Sequence, residues 1–568
     1  MRKKVIEFKN FSFQYDSQAE PTLHDINLDI YEGEKILIVG PSGSGKSTLA
    51  QCINGLIPNM FKGEIKGQAL IDGKDLATSS ISELSFSAGT VLQDMDSQFI
   101  GLTVAEDIAF ALENDYVAQD TLKEEVAKWA QIVEVQELLE HSPQKLSGGQ
   151  KQRVSMAGVL ISTPPILLFD EPLANLDPKS GKETIDLIDQ IHQNHKRTIV
   201  IIEHRLEDVL YRDVDRIILV NNGRILADLP PEELLKSDIL QENGLREPLY
   251  VSALKYAGVD LSQVEHLARL DKITAPNIKE SLENWANDLE KAPEEEKENL
   301  LHLEELTYQY APKLPKVLED VTTNVKKGQM ISIVGKNGAG KSTFSKAVTG
   351  FIHPSGIMQW KGEDFATLSI KERAEKIGYV MQNPNRMISQ KMIFDEVALG
   401  LRLRAVPEEE IRERVENTLK VTGLYPFRNW PIAALSYGQK KRVTIASILV
   451  LEPEMIILDE PTAGQDFKNY SEILKFLEEL NALGKTILMI THDMHLMLEY
   501  SERTLVFLDG KIIADKTPVE VLTDSELVEK AYLKETSLYL FAQRFGLDDP
   551  LGFARKFIAY ERKERSHG

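Results

Sequence analysis

One cysteine in 568 residues, Cys52, leaves the chain unable to form an intramolecular disulfide or a cysteine-based zinc or iron–sulfur site, which fits a reducing compartment. Long hydrophobic runs are missing as well. The longest, such as KILIVG and TIVIIEH, have the length of strands and fall far short of the ~20 residues that cross a bilayer. The N-terminal MRKKVIEFKNFSF passes from basic residues straight into an alternating strand pattern, with no signal-peptide apolar core. Membrane contact is therefore expected only through a partner. Positive charge is also scarce: 66 Lys and Arg face 88 Asp and Glu, a formal net charge of −22, which argues against a nucleic-acid-binding protein. What is present, 42% apolar and 27% charged residues, is ordinary for a globular chain, and its length implies about three to five domains.

The chain is one unit written twice. GPSGSGKST from Gly40 recurs as GKNGAGKST from Gly335, 295 residues later. Gln93 in TVLQD recurs as Gln382 in YVMQN, LSGGQKQRV from Leu146 as LSYGQKKRV from Leu435, and LLFDEP around Asp170 as IILDEP around Asp459, each 289 residues later. His204 recurs as His492, 288 residues later. Beyond these motifs, LREPLYVSALKYAGVD from Leu245 resembles LKETSLYLFAQRFGLD from Leu533, with Gly258 facing Gly546, so each half is expected to carry a short helical extension. Residues 261–299 are not repeated; they contain APEEEKEN and read as a solvated linker. The RKERSHG ending reads as a frayed helix. In each half short β-branched strands alternate with longer helical patterns, which implies an α/β fold with a parallel sheet flanked by helices. The stretch from about Gly101 to Ser155 lacks good strands and reads as a helical insertion ending at LSGGQ.

The glycine-rich loop carries the first chemistry. It comprises Gly40, Pro41, Ser42, Gly43, Ser44, Gly45, Lys46, Ser47 and Thr48, and follows a strand ending at Val39. Its glycines let the backbone turn tightly and aim N–H donors at phosphate oxygens; Lys46 would reach the β- and γ-phosphates of a nucleotide, and Ser47 would bind Mg²⁺. The helix that follows points its positive end at the same anion. Gly335, Lys336, Asn337, Gly338, Ala339, Gly340, Lys341, Ser342 and Thr343 repeat the arrangement. Asp170 and Asp459 each end an apolar strand, where a carboxylate needs a partner, and a magnesium shell would supply one. Glu171 and Glu460, next in sequence, are placed to deprotonate an attacking water.

On these motifs the chain resembles the tandem ATP-binding-cassette ATPases, for which LSGGQ is the signature element. The resemblance spans both halves. It implies two P-loop cassettes, each with a parallel-sheet core, a helical subdomain and a short helical C-terminal extension: 4–247 and 301–535 as cassettes, 248–300 as helical extension and acidic linker, and 536–568 as the C-terminal extension. It further implies head-to-tail pairing, in which Lys46, Asp170 and Glu171 work with Ser436, Gly438 and Gln439, while Lys341, Asp459 and Glu460 work with Ser147, Gly149 and Gln150. Gln93 and Gln382 match the Q-loop glutamine, which contacts Mg²⁺ and the attacking water. His204 and His492 match the switch histidine, expected after the last core strand. Tyr15 and Tyr310, each 25 residues before its phosphate loop, match the adenine-stacking aromatic, although either could equally be core. Asp177 and Asp466 match the D-loop aspartate. Two departures stand out: Tyr437 replaces the first signature glycine, and the first switch reads EHRLED rather than THD. Both glutamates remain, so both sites are expected to hydrolyse ATP.

TVLQDMDSQFIGLTVAEDIAFALEN resembles the Q-loop segment of energy-coupling-factor importers, which take up vitamins, their precursors, or cobalt and nickel ions. There the counterpart of Asp96, Ser97 and Gln98 docks a transmembrane coupling protein. The second half lacks that triplet, which argues against symmetric docking, and exposed apolar residues such as Phe99, Met387 and Ile388 are expected to face the partner. The resemblance implies a peripheral protein on the cytoplasmic membrane face, bound to a coupling protein and a substrate-binding membrane protein, with no nucleic-acid partner and no contact with the transported substrate. A ribosome-acting tandem cassette would call for a basic helical arm where this connector is acidic. An exporter or sugar-importer ATPase is the remaining alternative.

Overall fold

The computed structural model describes all residues except 1, 94–97, 175, 288–296, 463–466 and 568. The expectations for Asp96, Ser97 and Asp466, and most of the acidic linker, lie outside the described residues. The chain divides into two compact units, essentially residues 1–282 and 283–568.

In the first unit the strands are Lys4–Tyr15 (β1), Leu23–Tyr31 (β2), Lys35–Val39 (β3), Gly63–Ile71 (β4), Lys74–Asp75 (β5), Ala88–Val91 (β6), Ile166–Asp170 (β7), Thr198–Ile202 (β8), Arg216–Asn221 (β9) and Arg224–Leu229 (β10). They form an antiparallel sheet, β2-β1-β4-β5, and a core sheet, β10-β9-β3-β8-β7-β6, parallel except at the β9–β10 hairpin. KILIV of β3 and TIVII of β8 are buried throughout, because helices cover both faces of a parallel sheet and leave no solvated side for alternation. The β1–β2–β4 layer instead alternates, and its inward Phe8, Phe11 and Phe13 fill the space over the core sheet.

The second unit repeats this plan with Asn299–Tyr308 (β11), Leu318–Lys326 (β12), Met330–Val334 (β13), Ser355–Trp360 (β14), Glu363–Asp364 (β15), Ile377–Val380 (β16), Met455–Asp459 (β17), Thr486–Ile490 (β18), Arg503–Leu508 (β19) and Lys511–Lys516 (β20). The two sheets run β12-β11-β14-β15 and β16-β17-β18-β13-β19-β20. The repeat seen as motif spacing is thus a repeat of topology.

The stretch expected to be a helical insertion is one, with helices Val104–Asn114, Gln119–Ile132 and Gly148–Leu160 in the first unit and Ile393–Arg402, Glu408–Val421 and Tyr437–Leu449 in the second. The similar extensions form matching helices, Leu249–Tyr256 and Ser537–Arg544, each followed by a left-handed glycine, Gly258 (φ 68°) or Gly546 (φ 63°), that turns the chain off the helix end. The C-terminal segment expected to be helical is so. A single helix runs Pro550–His567, and the Arg562 guanidinium donates to the carbonyls of Glu499 (2.7 Å) and Ser501 (2.9 Å). Trp285 packs edge-on against Phe553, Phe557 and Tyr560 of the same helix.

Leu168 lies fully buried at the centre of β7. Leu168→Ala is expected to destabilise the first unit by about 2–5 kcal/mol, through lost transfer energy and the cavity left behind. Leu226→Ala, at a position half exposed on β10, should change stability by less than about 0.5 kcal/mol. Urea-dependent hydrogen exchange over β3 and β8 separates the two.

Candidate functional site

Each phosphate loop joins a buried core strand to a helix. Gly40 (φ 154°) and Gly335 (φ 138°) leave the strands so close to the neighbouring chain that a Cβ would lie 2.0 Å from the Val220 carbonyl oxygen in one case and 2.1 Å from that of Phe507 in the other. Only glycine fits there. The loops then wrap around their lysines. Lys46 Nζ donates to the carbonyls of Gly40 (2.7 Å) and Pro41 (2.8 Å), and Lys341 Nζ to those of Gly335 (2.7 Å) and Lys336 (2.9 Å). Both side chains are buried at the first position of a helix, Lys46–Ile53 or Lys341–Thr349. Carbonyls replace the water each ammonium has lost.

The tyrosines sit beside these helices. Tyr15 Oη lies 3.1 Å from Thr48 Oγ1 and donates to Gln51 Oε1 (2.9 Å), while its ring packs edge-on against Phe13. Tyr310 Oη lies 3.3 Å from Thr343 Oγ1, and half of the residue is exposed. The Tyr310 ring packs edge-on against Tyr308.

β7 and β17 deliver the carboxylates. Burial, with the adjacent Glu171 next, pushes Asp170 up to about 6 against the opposing pull of Lys46. Burial likewise raises Asp459, although its Oδ2 accepts from the Tyr379 hydroxyl (3.0 Å) and Lys441 and Lys341 pull the other way. Such carboxylates gain from a cation. With the Ser47 and Ser342 hydroxyls and the Gln93 and Gln382 carboxamides, the donors are all oxygen, the set that suits Mg²⁺. Among the described residues no group of three or more His, Cys, Asp or Glu could hold an ion by itself, so phosphate oxygens would have to complete the shell.

Glu171 (φ 49°) and Glu460 (φ 46°) both lie in the left-handed region, which is costly for a residue with a side chain. Each is held there by its own N–H, which donates to the carbonyl of Ile202 or Ile490 at 2.9 Å. The turn swings the side chains toward the histidines. His204 Nε2 donates to Glu171 Oε1 (2.7 Å), and Gln93 Nε2 donates to Glu171 Oε2. Three expected site residues of the first unit thus converge. In the second unit the grouping is looser: His492 N donates to Glu460 Oε2 (3.4 Å), and His492 Nε2 lies 3.6 Å from Glu460 Oε1. Burial alone would raise Glu171, but the His204 hydrogen bond and charge, with Lys46 and Arg205, hold it below its ordinary value. Burial and the neighbouring Asp459 push Glu460 up to about 8, with only partial relief from Lys341. The histidines were expected after the last core strand; β8 and β18 are instead central, and two further strands follow each.

Sequence reasoning missed several residues. Glu203, buried beside His204, accepts from the N–H groups of His204 (2.8 Å) and Leu173 (3.2 Å), pinning the switch to the loop after Glu171. In the second unit Thr491 stands there and, among the described residues, accepts only locally, from Asp493 N (2.9 Å). A carboxylate ending the apolar run TIVIIE was the available signal. The signature serines and glutamines also have an unforeseen task. Ser147 with Gln150, and Ser436 with Gln439, form capping boxes at the starts of their helices: each serine hydroxyl accepts from the glutamine N–H (3.4 and 3.3 Å), and each glutamine Oε1 accepts from the serine N–H (2.9 and 3.0 Å). Gly149 lies against Ser180, where a Cβ would come within 3.3 Å of the serine side chain. Asp177 is buried as the N-cap of helix Pro178–His195, accepting from Ser180 N (2.9 Å). Met387 and Ile388, expected to face the partner, are half-buried: the Met387 sulfur accepts from Met381 N (3.1 Å), and Ile388 packs on the core of the helical subdomain.

The sequence model of the ABC transporter family matches residues 23–174 and 318–463, more than half of the chain and both phosphate loops. The chain belongs to the ABC transporter family. Each unit is an ABC cassette, and the protein is an ATPase, the ATP-binding subunit of an ABC transporter. A second model, described as an ATP-binding cassette cobalt transporter, matches residues 237–308. An ABC transporter ATP-binding protein of Enterococcus faecalis is 64% identical over 566 residues and covers 100% of both chains. Its counterpart in Lactobacillus johnsonii is 56% identical over 566 residues and covers 99% of each. Among solved structures, cbiO1 from Clostridium perfringens, described as part of the ABC transporter complex cbiONQ, is 37% identical, covering 41% of this chain and 94% of its own, with a TM-score of 0.38.

The raised Glu460 has a consequence for stability. Its ordinary value is 4.5 and its value in the folded cassette about 8, so between those pH values the folded state holds a proton that the unfolded state has released. Stability is greatest below this window and falls as pH rises through it, by at most about 1.4 kcal/mol per pH unit for one group. The nucleotide-free Glu460→Gln variant should therefore melt above the wild type at pH 8, with the gap closing toward pH 5. Thermal melts across that range check it.

Proposed function

We propose that this ABC ATPase is the energy-coupling subunit of an energy-coupling-factor type importer. The observation that carries the reading is the surface beside Gln93: Ile100 is 63% and Leu102 81% exposed, and Leu92 is also exposed. Apolar side chains flanking a residue bonded to the candidate base are suited to a protein partner. The corresponding positions of the second unit, Lys391 for Leu102 and Ser389 for Ile100, are polar, in keeping with asymmetric docking. The cobalt-transporter description of the model matching residues 237–308 agrees with this class. No helix among the described residues is long and apolar enough to cross a membrane, so the membrane-embedded steps fall to integral membrane subunits, with this chain peripheral at the cytoplasmic face. On this reading residues 4–247 and 301–535 act as cassettes, with 248–300 and 536–568 as their extensions.

The roles follow from the residues. Lys46 and Lys341, with the loop N–H groups, bind the phosphates of ATP. Ser47, Asp170 and Gln93, and Ser342, Asp459 and Gln382, would hold Mg²⁺, which when bound neutralises phosphate charge. Glu171, held ionised, and Glu460 in its ionised form accept the proton of the attacking water, oriented by Gln93 and His204 or by Gln382 and His492. Tyr15 and Tyr310 offer ring faces to adenine. The signature residues Ser147, Gly149 and Gln150, and Ser436, Gly438 and Gln439, sit at helix starts suited to the γ-phosphate, where the first N–H groups have no acceptor within the helix.

Glu171→Gln and Glu460→Gln keep the shape of the side chain but cannot take the proton. Each is expected to slow hydrolysis by on the order of 10²–10⁴-fold with ATP affinity retained, and the double variant should keep bound ATP through gel filtration. An unimpaired single variant would remove that glutamate as a base. For the importer reading, Ile100→Ser with Leu102→Ser should abolish uptake of the substrate, whether vitamin or cobalt and nickel ion, in cells while purified chain hydrolyses ATP at its basal rate. Normal uptake by that variant would overturn the docking surface.

A further inference from the structure

The signature helix of the second cassette grips its own Q-loop through two side chains whose counterparts in the first cassette make no such bond among the described residues. Lys441, on helix Tyr437–Leu449, is buried, and its ammonium donates to the carbonyls of Met381 (2.7 Å) and Gln382 (2.9 Å). From the first turn of the same helix the Tyr437 hydroxyl donates to the Gln382 carbonyl as well (3.3 Å). The carbonyl of the Q-loop glutamine thus accepts two hydrogen bonds, both from one helix. The residues 289 positions earlier are Gln152 and Gly148. Gln152 is equally buried, but its amide Nε2 has no hydrogen-bond partner, and Gly148 has no side chain to offer. The first Q-loop is held from the opposite side, by Gln93 bonded to Glu171.

The alternative is that Lys441 merely neutralises the nearby Asp459 and Glu460. Their charges do act on it, yet its hydrogens go to loop carbonyls, and neutralisation gives no reason for a hydroxyl on the same carbonyl. Three bonds from one helix to two consecutive peptide groups fix a position.

We propose that Lys441 and Tyr437 are positioning residues that tether the second Q-loop to its own signature helix, so that Gln382 and the signature of this cassette move together. The importance of the tether for turnover rests on the reading of Gln382 as the Q-loop glutamine. The glycine replaced by Tyr437 is then no idle departure, since the tyrosine supplies one of the three bonds.

The test uses the full-length chain with Lys441→Gln, which copies the first cassette, Tyr437→Phe, which removes one hydroxyl from a partly exposed side chain, and Gln382→Ala. Hydrogen–deuterium exchange is followed over residues 381–390, and kcat and KM for ATP are measured together. Both tether variants should speed exchange in 381–390 while leaving exchange in the strands β13, β17 and β18 unchanged. KM should stay within about twofold, while kcat falls by about 2- to 10-fold for the single hydroxyl and up to about 100-fold for the lysine. The proposal is overturned if exchange over 381–390 is unchanged in both variants, or if Lys441→Gln raises exchange throughout residues 393–450 while Tyr437→Phe is silent, the mark of a packing role. Should Gln382→Ala leave kcat intact, the reading of Gln382 fails instead, and the exchange data alone decide the tether.

Discussion

A lysine ammonium buried at the first residue of a helix must find acceptors, and in both cassettes the acceptors are carbonyls of its own loop. This requirement shapes the rest of the site. The loop can close around the lysine only if it leaves its strand at a glycine that passes within van der Waals distance of the next strand. The strand must therefore be central, flanked by parallel neighbours; the neighbour β8 or β18 brings the histidine, and β7 or β17, one strand further out, brings the Asp–Glu pair to the same end of the sheet. A cation at the base of the loop also makes the buried carboxylates of β7 and β17 tolerable, since Lys46 and Lys341 counter their desolvation.

Around that shared frame the two cassettes distribute their polar groups differently. In the first, the hydrogen bonds converge on the candidate base: His204 and Gln93 hold Glu171, and the buried Glu203 pins the backbone of the switch. In the second, they converge on the Q-loop, through Lys441 and Tyr437, and on Asp459 through Tyr379, while Glu460 lies buried with little support. One catalytic outline can thus be supported from either side, and the protonation of the glutamate follows from which side is built.

The signature segment shows how local folding and function can use the same atoms. S-x-x-Q closes a capping box, so serine and glutamine start the helix whether or not a nucleotide is near. This gives the helix start a structural reason to carry these residue types and leaves the first glycine position open, which is where Tyr437 enters the second cassette.

The sequence by itself determined the two-cassette plan, the parallel core and the helical insertion. Gly40, Lys46 and Asp170 could be read from local order because their roles depend on neighbours in the chain: a strand, a tight turn, a helix start. Tertiary structure alone decided the rest. The left-handed turn at Glu171 and Glu460 depends on a ladder bond to an adjacent strand, and no local signal specifies it. The apolar Met387 and Ile388 gave no sign of the contacts within their own cassette that half-bury them. Above all, nothing in two nearly identical DE pairs foretold that one glutamate would be held ionised and the other pushed to about 8, because that difference comes from side chains more than 30 residues away in the chain, His204 above all, and from how completely water is excluded around each carboxylate.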